Sequence, residues 1–168
     1  MNNHLLALLM SLLLSGAAIA DPVEGRWWTE DGEAIVEIRL LDEGLAGRII
    51  WLLEPRHPES HERAGQPLLD VENPEPEIRE RPVLGLRILE GFERRREGDW
   101  RGGEVYDPEN GRTYRARLRA VDEGAGLNLR GYVGTPMLGR TSHWKRLEGD
   151  IPSDRGQGID DHDGKGEQ

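Results

Sequence analysis

From residue 33 onward, apolar and polar residues alternate in segments of about ten residues, separated by glycine-bearing turns. A period of two belongs to strands, because successive side chains point to opposite faces of a sheet. In "EAIVEIRLL", Ala34, Val36, Ile38 and Leu40 share one face, while Glu37 and Arg39 share the other. "DEG" (42–44) reverses the chain, and "LAGRIIWLL" returns as the second strand of a hairpin. The same rhythm runs through "EGRWWTE", "VLGLRILEGFERR", "DWRGGEVYD", "RTYRARLRAV", "LNLRGYVG" and "TSHWKRLE". No helical period is sustained after residue 20. A sheet of this kind must bury one face and dispose of its edges, and closing on itself does both. The expected architecture is therefore all-β, an antiparallel up-and-down barrel of about eight strands. The alternation assigns Val36, Ile38, Ile49, Trp51, Leu86, Tyr114, Leu118, Leu129 and Trp144 to the interior as candidate ligand-lining residues. Leu40, Ile88, Ala116 and Leu127 share their phase.

The segments that break the rhythm set the boundaries. "LLALLMSLLLSGAAIA" is an apolar run ending in the small-x-small pattern Ala18-Ile19-Ala20. Residues 1–20 read as a secretory signal peptide cleaved before Asp21, since the run is short for a membrane span. The mature domain is expected over 21–148, in the periplasm or outside a Gram-negative cell, with no membrane span after cleavage. Residues 54–82 are rich in Pro and Glu and lack a period. A connection that long is either a functional crossing, serving as a partial lid, or a mobile insertion. Within it, Asn73-Pro74 suits the start of one helical turn. Residues 149–168 carry almost no apolar side chains and are expected to be a disordered acidic tail.

The formal charge of −10 disfavours nucleic acid, which requires clustered cations. The absence of cysteine excludes thiol catalysis and cysteine-ligated zinc. In "VYDPENGRTY" (105–114), Asp107, Pro108, Asn110 and Gly111 each meet a backbone need of a tight hairpin, so the segment reads as a turn rather than an acidic site. Ser142 and His143 are adjacent on a strand and face opposite ways, which defeats a Ser-His dyad. His57 and His61, with Glu59 and Glu62, have a spacing that suits a metal on a helix, or else they belong to a solvated loop. Arg115, Arg117 and Arg119 form either an exterior face or, joined by Arg130, a cationic wall for an anionic ligand. No catalytic residue, cofactor or metal is expected.

Gly25-Arg26-Trp27 opens the first strand, and Trp144, Lys145 and Arg146 end the last. Gly-x-Trp resembles the first-strand motif of the lipocalin (calycin) barrels. There an arginine of the last strand covers the tryptophan, a role that falls here to Arg146 (or Arg140). The wider order "DVENPEPEIRERPVLGLRIL", "DWRGGEVYDPENGRTYRARL", "LNLRGYVG" and "LGRTSHWKRL" resembles the bacterial secreted family called domain of unknown function 2147. That resemblance implies a signal peptide, an envelope location and a lipocalin-like barrel, and supplies no catalytic residues. Three functions stay open: a module binding a small apolar or amphipathic, lipid-like ligand; a packed structural or partner-binding domain; and a carboxylate-dependent hydrolase.

Overall fold

A computed structural model describes residues 20–42 and 44–159. Residues 1–19 of the expected signal peptide and the last nine residues lie outside these ranges. Nine strands form: β1 (Gly25–Trp28), β2 (Ala34–Leu41), β3 (Gly44–Leu52), β4 (Arg87–Arg96), β5 (Asp99–Asp107), β6 (Arg112–Val121), β7 (Gly126–Tyr132), β8 (Arg140–Arg146) and the short β9 (Gln157–Gly158). β1 to β8 each pair antiparallel with their chain neighbours, and β1 also pairs with β8 through Trp27↔Arg146 and Trp28↔Lys145. The sheet is thus a closed eight-stranded up-and-down barrel without an open edge.

Alternation fills the interior. Val36, Ile38, Ile49, Leu86, Ile88, Ala116, Leu118, Leu127, Leu129 and Trp144 are all buried in one cluster with Trp27, Trp100 and Phe92. Arg115 and Arg119 project outward between them, so the alternating arginines form an exterior face. Two residues depart from the expected phase. Leu40 is 38% exposed, because β1 stops pairing with β2 at Gly25↔Ile38 and the hairpin tip runs on past the wall. Trp51 is fully buried, but on the outside of the barrel.

A bulge explains the second departure. Val36 pairs with Ile49 and Ile35 with Trp51, so one step on β2 faces two on β3 and Ile50 is the extra residue. An extra residue restarts the alternation. Ile49 and Leu52 therefore join the interior, while Ile50 and Trp51 both join Ile35 on the outer face. The chain after β8 covers this outer patch. Ile151 and Ile159 pack on it, the Trp51 Nε1–H donates to the Pro152 carbonyl (3.1 Å), and β9 pairs with the end of β3. The tail expected to be unstructured from Gly149 is thus a docked strap over 151–159. Its few apolar residues suffice because Trp28 and Trp51, in edge contact at 5.2 Å, offer a large apolar surface to meet.

Candidate functional site

The two ends of the barrel differ. At one end the side chain of Arg146 lies over Trp27, with Cζ 4.1 Å from the ring centroid. Its guanidinium donates to three carbonyls: Gly124 (2.5 Å), Pro22 (2.6 Å) and Glu24 (2.9 Å). Gly25 has φ +137°, and a Cβ there would collide with the Arg146 guanidinium, so the glycine in Gly-x-Trp makes room for the arginine. Arg140, the other arginine considered for this role, is on the opposite rim near Glu30 (3.7 Å). Asp21 completes the seal, accepting from the Trp100 indole (3.2 Å) and from Arg94 (3.0 Å). With Trp27, Leu118 and Leu127 fully buried above it, this half of the barrel is packed.

The other end is open. In an up-and-down barrel, alternate connections share one rim, so the turns after β1, β3, β5 and β7 meet here. Between them is a cavity of about 620 Å³, a volume suited to a small ligand. Its floor is apolar: Val36, Ile49, Leu52, Val83, Ile88 and Val105. Its roof comes from the connection after β3, through Leu68, Leu69 and Val71. Its rim carries carboxylates, with Asp31 and Glu33 from the first turn, Asp107 and Glu109 from the third, and Glu54 and Glu72 from the roof. Neither lysine nor arginine lines it. Burial, reinforced by the Asp107, Glu33 and Asp31 carboxylates, pushes the Glu109 carboxyl up from its ordinary range.

The connection of residues 54–82 is fastened to the barrel by a polar network. Asp70 is fully buried. It accepts from the Tyr106 hydroxyl (2.5 Å), from Asn73 Nδ2 (2.8 Å) and from Arg81 Nε (2.8 Å). Asn73 also donates to the Tyr106 oxygen (2.9 Å). Burial and the Asp70 partnership push the Tyr106 phenol up to about 12. The helical turn falls at Pro76–Ile78, two residues beyond the expected start, because the Asn73 side chain accepts from the Glu75 N–H instead of opening a helix. Nearer the cavity, His57 and His61 stack with centroids 4.3 Å apart. Leu69 N–H donates to His57 Nε2 (3.3 Å), and Arg63 N–H donates to His61 Nδ1 (3.1 Å). These histidines hold the roof in shape, and His57 is buried at 5% exposure rather than solvated. Among the described residues, no group of three or more His, Cys, Asp or Glu side chains is placed to hold a metal.

Of the candidate lining residues, Val36, Ile49 and Tyr114 border the cavity. Leu129 faces a neighbouring recess on the same rim, which shares Asp31, Val105, Asp107, Glu109 and Tyr114 with it. Ile38, Leu86, Leu118 and Trp144 are interior packing instead, and Trp51 lies outside. The "VYDPENGRTY" segment is a turn built as its residue types require. Asp107 Oδ1 accepts from Glu109 N–H (3.0 Å), Asn110 Oδ1 accepts from Arg112 N–H (3.0 Å), and Gly111 has φ +67°. It is also part of the site, because Asp107, Pro108 and Glu109 border the cavity. A Cβ on Gly111 would run into the Glu72 carbonyl oxygen, so the turn tip is packed directly under the roof. The rim acids and roof residues were missing from the alternation-based set because they belong to turns. The signal for them was topological: counting connections puts 29–33, 53–86 and 108–111 on one rim.

The Helicobacter pylori protein HP1028, described as belonging to the lipocalin family, has a similar solved structure, with a TM-score of 0.61 and 23% identity over 74% of this chain and 82% of that one. No curated protein matches the chain. The profile of a bacterial family described as an uncharacterized protein conserved in bacteria matches residues 25–146. That span runs from the glycine of the Gly-x-Trp motif to the arginine above its tryptophan, and the chain belongs to this family, DUF2147, with a lipocalin-like barrel.

Proposed function

We propose that the barrel is an exported envelope module that binds one small apolar or amphipathic ligand in the open-end cavity. The observation that carries this reading is the contrast between halves. One half is sealed and filled, whereas the other keeps a cavity with an apolar floor under an ordered roof. A domain serving only as a scaffold would gain stability by covering that apolar floor, since burying apolar surface contributes roughly 25 cal/mol per Å². Export is supported by Asp21. It would become the mature amino terminus on cleavage after Ala20, and its carboxylate already seals the closed end. Two measurements test the reading. Protein purified from its native compartment is extracted with organic solvent, and the extract and the mature mass are read by mass spectrometry. The expected results are a co-purifying apolar compound and a chain beginning at Asp21. Binding of the neutral fluorophore N-phenyl-1-naphthylamine should be lost in Val71→Trp, which fills the cavity from the roof. Empty extracts together with fluorophore binding indifferent to that change would defeat the proposal.

One observation favours a second reading, carboxylate-dependent hydrolysis: Glu109 is held up beside Asp107, as a general acid requires. This predicts turnover of a glycoside or ester that disappears in Glu109→Gln. A panel of such substrates left intact by the native protein removes it.

A further inference from the structure

The rim chemistry narrows the ligand class, on the reading that the cavity is a binding site. The floor and roof accept an apolar body, so the polar end of an amphiphile must sit among the rim groups. Six carboxylates border that rim, and none is ion-paired to lysine or arginine among the described residues. Asp31 accepts only from Thr29 and the Glu33 N–H, and Asp107 only from Glu109 N–H and Asn110, so their charges are hydrogen-bonded but not neutralised.

His57, on the same wall, does not offset this charge. Because His57 Nε2 accepts a backbone N–H, the ring is neutral and its proton is on Nδ1. Burial, and then His61 and Arg63, hold His57 below its ordinary range. His57 Nδ1 has no protein partner among the described residues, and the residue borders the cavity. That N–H is reached from the cavity, since no buried side-chain nitrogen or oxygen lacks a partner among the described residues. It is available to an uncharged acceptor such as a hydroxyl or carbonyl oxygen.

We infer that the ligand is a cationic amphiphile, with an apolar body between the floor and the roof and an ammonium group among Asp31, Glu33, Asp107 and Glu109. A carboxylate- or phosphate-headed lipid would place like charge against those four groups, which disfavours it.

Isothermal titration calorimetry on the full chain tests this with three probes of equal chain length: dodecylammonium, dodecanol and laurate, all kept below micelle formation. Dodecylammonium should bind about tenfold tighter than dodecanol, with laurate the weakest, as expected for one head group near partly solvated carboxylates. The ammonium-to-dodecanol ratio should shrink in high salt. In the double variant Glu33→Gln, Glu109→Gln it should fall to within about threefold, with dodecanol in the same variant reporting that the cavity is intact. Laurate binding as tightly as dodecylammonium, or a ratio unmoved in the double variant, would overturn the cationic assignment and leave the cavity reading standing. Failure of all three probes would overturn both.

Discussion

Replacing Arg146 by alanine removes the group that closes the packed end. Three charge-assisted hydrogen bonds end on carbonyls of Pro22, Glu24 and Gly124, at 2.6, 2.9 and 2.5 Å. Bonds to charged groups each contribute about 1.5–3 kcal/mol, and the cation over Trp27 adds roughly 0.5–2 kcal/mol. These values do not sum, because the arginine is half-buried and water re-hydrates part of what it leaves. A net cost of about 3–5 kcal/mol is expected, similar to breaking a buried ionic network. For a domain of this size that is roughly a 10 °C drop in Tm. Arg146→Lys should recover only a minority of the loss, because an ammonium cannot reach three divergent carbonyls as a planar fork does. Gly25→Ala should resemble Arg146→Ala, since its Cβ displaces the guanidinium. The assay is guanidinium chloride unfolding followed by tryptophan fluorescence, with an unchanged m-value showing that stability alone has moved. A cost below about 1 kcal/mol for Arg146→Ala, or full rescue by lysine, would refute the closure argument.

The Tyr106–Asp70 network makes roof stability pH-dependent. Tyr106 has a folded pKa raised to about 12. Its contribution is therefore complete below the unfolded value near 10 and is lost as pH rises toward the folded value. Stability measured from pH 9 to 12 should decline less in Tyr106→Phe than in the native protein, and parallel declines would contradict the network's role. Gly111→Ala should cost about 1–3 kcal/mol through its positive φ and the collision with the Glu72 carbonyl. Hydrogen exchange should show the loss concentrated in residues 66–82 rather than in the barrel. Truncation after Glu148 should uncover Trp51 and shift its fluorescence to the red while leaving the barrel folded, whereas an unshifted spectrum would deny that the strap covers it. Asp99 has its carboxyl held low by the Arg101 hydrogen bonds (2.9 and 3.0 Å). Asp99→Asn should therefore lower stability at pH 7 and lose its effect as pH falls below the ordinary carboxylate range.

Sequence alone determined the eight barrel strands and their order. Each is a local or nearest-neighbour property: two-residue alternation fixes which face is apolar, and glycine-bearing turns fix antiparallel neighbours. Gly25-x-Trp27 was legible for the same reason, since the need for a bare backbone beside a large ring is written in two adjacent positions. The roof over residues 54–82 was not, because its order comes from one buried carboxylate, Asp70, that meets a tyrosine 36 residues away. Nor was the outward turn of Trp51. One extra residue at Ile50 reverses the phase of β3, and an extra residue is defined only against the partner strand. The open-end cavity likewise belongs to tertiary structure. A rim is shared by turns far apart in the chain, so the charge gathered there by Asp31, Glu33, Asp107 and Glu109 exists only once the barrel has closed.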